Sequence, residues 1–164
     1  MKILILGQDG HGKTTFAELL AKHSTLKVED SSWFAMEKAV LPYFGKWYAT
    51  KEDCFNDRGN NRGIWKALIA YYNTPDKARL AKELLEFADV YVGMRCPLEY
   101  EASKHLFDLL VYCDGSERTG YSEGSLTIPY DENRMAKIST NGTEKQLEEK
   151  VLVILQVIKI MSKK

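Results

Sequence analysis

The sequence predicts a doubly wound, three-layer α/β domain built on a five-stranded parallel sheet. Three observations predict it. Five short runs are rich in Val, Ile, Leu and Tyr, they are continuously apolar rather than alternating, and segments with helical spacing lie between them. A parallel strand covered on both faces has no solvent side, so both sets of its side chains are apolar. Strands that alternate with helices are joined by right-handed crossovers, which place helices on both faces of one sheet. The 164 residues suit one domain, 1–164, and no linker, repeat or low-complexity stretch divides them.

The strands are expected at residues 2–6, 26–29, 89–94, 109–113 and 136–139. After the first, Phe16, Leu19, Leu20 and His23 share one helix face. Trp33, Met36, Glu37 and Val40 make a second stripe; Trp65, Leu68, Ile69 and Tyr72 make a third, followed by Leu80, Leu84 and Leu85. The last helix brings Leu147, Val151, Ile154, Leu155 and Ile158 together, and Thr143-x-x-Gln146 before it satisfies a capping box. Gly and Asn gather at residues 56–63 (NDRGNNRG) and, as glycines, at 115–124, and both stretches read as loops. Loops at the carboxyl ends of parallel strands are where such sheets bind ligands.

Composition narrows the function. A 45% hydrophobic chain can bury a core, and a formal net charge of zero argues against a long nucleic acid as partner. Cys54, Cys96 and Cys113 show no C-x-x-C spacing, so they suggest reduced thiols rather than a disulfide framework or zinc site. The apolar run after Met1-Lys2 is too short for a signal peptide or a membrane span. A soluble, cytoplasmic protein with no membrane partner is expected.

Residues 7–14, GQDGHGKT, match G-x-x-x-x-G-K-[ST] in full, between an apolar strand and an amphipathic helix starting near Lys13. Glycines let the backbone curl until successive N–H groups point at one phosphate, and the helix adds the positive end of its dipole. Gly10, His11, Gly12, Lys13, Thr14 and Thr15 are thereby assigned to an ATP site. Lys13 would place its charge on the β- and γ-phosphates, and the Thr14 hydroxyl would be a ligand of Mg²⁺. Glycines at 7, 10 and 12 do not fit the dinucleotide fingerprint G-x-G-x-x-G. Asp9 and His11 occupy variable loop positions, with the His11 side chain expected to face solvent or the nucleobase.

A kinase with an anionic acceptor must also neutralise that acceptor, so arginines outside the loop are informative. Arg58 and Arg62 stand four apart just before or within the start of the Trp65 helix, a spacing that can aim two guanidinium groups at one anion. Arg95 follows the third strand and opens into the ligand crevice, with Glu99, a candidate acceptor contact, one helical step further. Arg95 reads as a phosphate clamp, against a structural ion pair with Glu99 or Glu101. Asp30 ends the second strand in the same crevice, where it can serve Mg²⁺ or the acceptor, or simply cap the helix that Ser31 begins. Arg118 follows the fourth strand and can swing over ATP; Asn141 and Gly142 follow the fifth, on the side where the base would lie. Trp33 and Trp65, with Phe34, Trp47, Tyr48 and Tyr72, could supply a stacking wall for the acceptor, but core packing explains most of them as well.

This pattern resembles the nucleoside monophosphate kinases. More narrowly it is similar to the phage-type deoxynucleoside monophosphate kinases, in residues 56–65 (NDRGNNRGIW), 91–99 (YVGMRCPLE) and 107–118 (FDLLVYCDGSER), across about residues 1–155. The resemblance implies the P-loop NTPase fold with strand order 2-3-1-4-5, an acceptor-binding helical segment about 31–75, and a short lid about 116–128. It implies transfer of the γ-phosphoryl of ATP, with Mg²⁺, to a (deoxy)nucleoside monophosphate, in the host cytoplasm if phage-encoded. Lys13 and Thr14 would act on ATP·Mg²⁺, Arg58, Arg62 and Arg95 on the acceptor phosphate, and Arg118 as the lid residue. No strand ends in an Asp at the usual second metal position, which leaves Asp30 as the candidate. Two other readings stay open: a kinase of a non-nucleotide small molecule such as a sugar acid, and a nucleotide-dependent switch. A homodimer is the commonest assembly for a small kinase of this kind.

Overall fold

A computed structural model describes residues 1–120 and 128–163. In chain order it shows β1 (Ile3–Leu6), α1 (Lys13–Lys22), β2 (Val28–Asp30), α2 (Ser31–Ala35), a π-helical turn (Met36–Val40), α3 (Leu41–Phe44) and α4 (Lys51–Asn56). Then come α5 (Arg62–Tyr72), α6 (Arg79–Leu85), β3 (Val90–Val92), α7 (Pro97–Ser103), β4 (Leu109–Asp114), α8 (Ser116–Thr119), β5 (Ala136–Ser139) and α9 (Glu144–Met161). The five strands form one sheet in the order β2-β3-β1-β4-β5, and every pairing is parallel, as expected.

β1 runs through the middle with all four residues fully buried, and its alternate side chains feed two cores. Leu4 and Leu6 pack with Tyr91, Phe34, Leu80, Leu84 and Tyr100 on one face. Ile3 and Ile5 pack with Phe16, Leu20, Val111 and the Leu147–Val151–Ile154–Leu155–Ile158 stripe of α9 on the other. Two covered faces are why the inner strands β1, β3 and β4 read as apolar runs, while the edge strands β2 and β5 are half-buried or exposed. A third, smaller cluster of Met36, Val40, Cys54 and Trp65 ties the helices between β2 and α6 to one another.

The stripe expected from Trp33 to Val40 exists, but not as one α-helix. It passes from α2 into the π-turn just before Pro42, whose ring lacks a donor and crowds the carbonyl four residues back. The capping box at the start of α9 forms as expected, with Thr143 Oγ1 accepting from Gln146 N at 3.3 Å and Gln146 Oε1 accepting from Thr143 N at 2.9 Å. Cys54, Cys96 and Cys113 are free thiols. Among the described residues no helix is long and apolar enough to cross a membrane. Of the expected lid, residues 121–127 lie outside the described residues; residues 116–119 form α8, and Ile128 is buried in the first core.

The topology places the site. β1 is flanked by β3 on one side and β4 on the other, so chain direction diverges at its carboxyl end. Gly7, Arg95 and Asp114 therefore emerge near one crevice, which is where open α/β sheets bind their ligands.

Candidate active site

The loop after β1 curls through Gly7, Gly10 and Gly12, whose φ angles of 142°, 76° and 74° belong to glycine. The curl returns Lys13, the first residue of α1, to the loop it leaves: its Nζ donates to the Gln8 carbonyl at 2.7 Å. Burial pushes the Lys13 ammonium below its ordinary value, the Asp9 carboxylate opposes that, and the Arg95 guanidinium adds to it. A cation held half out of water beside a helix N-terminus gains more from a bound phosphate than one in bulk solvent. Thr14, next along α1, is exposed, and Thr15 half-buried.

His11 corrects one expectation. Its side chain is 1% exposed, not turned to solvent or to a base. The twist at Gly10 and Gly12 presents the His11 carbonyl to Thr140 Oγ1 at 2.8 Å and drives the ring beneath the segment after β4, where Nε2 lies 2.9 Å from the Gly120 carbonyl. The Asp114 carboxylate at the end of β4 is 3.9 Å from its Nδ1. Burial alone would raise the Asp114 carboxyl, but Lys137 at 2.8 Å and hydrogen bonds from Ser116 outweigh burial and pull it down to about 2. His11 is thus a strut between the phosphate loop and the segment that carries Arg118. Arg118 reaches the same loop directly, its guanidinium donating to the Gly10 carbonyl at 2.9 Å.

Asn141 is likewise structural in this arrangement. Its Oδ1 accepts from the backbone of Glu117 at 3.0 Å and Arg118 at 3.3 Å, while its Nδ2 donates to the Asp114 carbonyl at 3.2 Å. The exposed Gly142 lies against Gln146 of the capping box, 2.3 Å from where a Cβ would stand.

Arg95 does not pair with Glu99 or Glu101. It makes an ion pair with Asp9 of the phosphate loop, across the β1–β3 junction. Glu99 is 5% exposed and accepts the Tyr91 hydroxyl at 2.7 Å, because the helical phase of α7, set by Pro97 at its first position, turns it toward the core. This places it away from the open crevice where an acceptor contact was expected. Asp30 takes the capping role, its Oδ1 accepting from Ser32 N at 2.7 Å, yet it stays within the electrostatic field of Lys13.

Glu99 makes a testable contribution to stability. Burial raises its carboxyl from 4.5 to about 7, with the Tyr91 hydroxyl pulling partly the other way. The folded chain therefore keeps a proton that the unfolded chain releases at lower pH. Stability falls as pH rises from the unfolded value to the folded one and levels off above it, by roughly 2–4 kcal/mol in total. Glu99→Gln keeps an acceptor for Tyr91 and removes the titration. Thermal unfolding measured from about pH 5 to pH 8 should show a flatter profile for the variant; an unchanged slope would assign the dependence to another group.

Arg58 and Arg62 lie on the helical segment between β2 and α6. Arg58 donates to the Phe55 carbonyl at 2.8 Å, and its guanidinium lies 3.9 Å over the Phe55 ring. Phe55 in turn meets Trp33 at 5.1 Å and Trp65 at 6.3 Å between centroids, so two of the expected stacking residues share one aromatic row. Arg62, at the start of α5, is exposed. Sequence reasoning missed what holds this loop: the Asp57 carboxylate accepts from Tyr48 at 2.8 Å and from Asn60 and Asn61 at 2.7 Å each. The two Asn residues around an Asp-Arg-Gly turn were the available signal. Among the described residues, the fixed part of the site is thus Lys13, Asp9, Arg95 and Asp30 on one side and His11, Arg118 and Asp114 on the other.

No protein-family model and no curated protein sequence matches this chain. Its fold has counterparts among solved structures. The shikimate kinase of Aquifex aeolicus superposes with a TM-score of 0.56 at 14% identity, over 95% of this chain and 96% of that one. A gluconokinase from Sinorhizobium meliloti gives a TM-score of 0.52 at 15% identity, over 96% and 92%. This chain shares with both the fold of a five-stranded parallel sheet in the order 2-3-1-4-5 with helices on both sides. Neither name points to a nucleotide as acceptor.

Proposed function

We propose that the chain is a phosphotransferase moving the γ-phosphoryl group of ATP to a small anionic acceptor seated between the phosphate loop and the helical segment 31–75. One observation carries this: Arg95, delivered by the neighbouring strand, reaches the phosphate loop beside Lys13, so two cations bracket the place where donor and acceptor anions would meet. A protein that only held ATP would need the lysine but not the second cation.

The acceptor class follows from two supports of unequal reach. The fold is shared with kinases named for shikimate and gluconate, both hydroxy acids, and this favours an acid without a base. A nucleoside monophosphate is the second reading. It is favoured by the half-buried rings of Trp33 and Phe55, with Arg58 stacked on Phe55 and the buried Trp65 behind them, which suits a flat base and a nearby phosphate.

Mg²⁺ fits the residues present. The Thr14 hydroxyl and the Asp30 carboxylate are hard oxygen donors, and Asp30 spends one oxygen on Ser32 N. Asp114, by contrast, is committed to Lys137 and Ser116. No cluster of three or more His, Cys, Asp or Glu residues among the described residues could hold a metal alone, in keeping with an ion bound mainly through nucleotide phosphates and water. Such an ion would neutralise charge on the transferring group. Lys13 and Arg95 would hold donor and acceptor in line, and a dianionic phosphate acceptor would need no base.

A coupled ADP-release assay across hydroxy acids and nucleoside monophosphates tests the proposal. One class is expected to raise ADP release at least about tenfold over ATP alone. The same slow release with every acceptor would leave a nucleotide-holding protein and end the transferase reading.

A further inference from the structure

The phosphate loop carries a carboxylate where an incoming anion has to go. Asp9 is the third residue of the loop, and its side chain pairs with Arg95 while acting electrostatically on Lys13. Two cations and one carboxylate thus share the mouth of the site, with Asp9 and Arg95 each within electrostatic reach of Lys13. Neither partner of the ion pair is buried: the side chains of Arg95 and Asp9 are 51% and 39% exposed. A pair so open to water is worth little to folding and can exchange partners readily. A loop that must admit polyphosphate gains nothing in affinity from a carboxylate at its rim, because like charges repel. Its position explains it better as a placeholder. It satisfies Arg95 while no ligand is present, and it offsets what burial and Arg95 do to Lys13.

We propose that Asp9 is a tethered competitor for anions at Arg95: it holds the guanidinium in the empty protein and must release it to the bound anion. The inference rests on the reading of Arg95 as an anion clamp, and it adds a selecting role for Asp9. Only an anion that outcompetes a carboxylate already in place gains the arginine. A phosphate group does so readily, having more charge and a matching face for the guanidinium fork. A hydroxy acid, with a single carboxylate of its own, meets Asp9 on equal terms and gains the arginine only through further contacts elsewhere in the site. Asp9 would therefore set the threshold of anion charge that the site accepts.

The test needs no knowledge of the acceptor. Inorganic tripolyphosphate, long enough to reach from the loop toward Arg95, is titrated calorimetrically into the wild type, Asp9→Asn, Asp9→Ala, Arg95→Ala and Asp9→Asn/Arg95→Ala, with thermal melts confirming that each is folded. Asp9→Asn and Asp9→Ala are expected to bind about three- to tenfold more tightly than wild type. That gain should shrink to less than about twofold when Arg95 is also removed. An equal gain with and without Arg95 would mean that Asp9 merely repels the ligand, and no gain at all would mean that it does not compete; either overturns the proposal. Should an acceptor emerge from the ADP-release assay, its KM should fall in Asp9→Asn, while a large loss of kcat instead would give Asp9 a chemical role and sink the competitor role. Because the titration uses no acceptor, it can succeed where phosphotransfer fails, and the reverse.

Discussion

Lys13→Ala should leave the protein folded and remove phosphotransfer, with a fall of at least about 10²–10³-fold in ADP release. The two halves of this expectation have different causes. The folded chain holds the Lys13 ammonium against the Gln8 carbonyl at 2.7 Å, and burial makes its charge harder to keep there. A group that is already desolvated contributes little to folding when its charge is counted, so truncation should move the melting temperature by only a few degrees. With ATP in place the balance reverses. The ammonium then has phosphate oxygens for partners, in a setting where a point charge acts more strongly than in water, and it is placed where negative charge grows as the phosphoryl group moves. The measurement is the acceptor-dependent ADP-release rate alongside a thermal melt of the same sample. A variant that melts normally and still turns over at the wild-type rate would remove Lys13 from the chemistry. Lys13→Arg is informative beside it, because a planar fork on a longer stem does not replace a compact ammonium inside a closed loop.

Contiguous signals were legible in the sequence, and signals that depend on juxtaposition were not. β1 and β4 lie within a residue of their expected bounds, since a buried parallel strand writes itself as an apolar run, and β5 keeps its bounds as a half-buried edge strand. β2, the other edge strand, is displaced to Val28–Asp30, its acidic Glu29 and Asp30 lying within the strand rather than closing an apolar run. α4 and α7 went unread, being too short for an amphipathic stripe, although Thr50 with Asp53 and Pro97 at an N-terminal position mark their starts. The phosphate loop was plain because its residues are neighbours in the chain. The orientation of His11 was not, because it depends on left-handed twists on either side of it and on Thr140, which belongs to the far end of the sheet. Asp9 and Arg95 stand 86 residues apart and meet only because β1 pairs with β3. Glu99 misled for the opposite reason. Four residues from Arg95 it read as an acceptor contact in the same crevice, but those residues straddle the turn into α7, and the helix carries it toward Tyr91.

Gly7→Ala is expected to cost more stability than any other single-methyl addition considered for this site, and to take nucleotide binding with it. Gly7 directly follows β1 with φ at 142°, outside the range that L residues favour, and a Cβ there would stand 2.5 Å from the Cys113 carbonyl oxygen. That oxygen belongs to the backbone of β4, the strand hydrogen-bonded to β1 through four register pairs, so it cannot move aside as a flexible side chain would. The same methyl group would press on Lys13 Cγ at 3.2 Å. Backbone strain and overpacking together should destabilise the fold by roughly 2–4 kcal/mol, a drop in Tm of about 5–15 °C for a domain of this size. The displaced Lys13 should weaken ATP affinity even in the fraction that remains folded. Gly63→Ala is the matching control: it lies in α5 with nothing within 4 Å of its added carbon, so a loss of unfolded-chain entropy should raise Tm slightly rather than lower it. Equal melting temperatures for the two variants would mean that β1 and β4 are not held as tightly against each other as their register requires, and the placement of the phosphate loop between them would have to be given up.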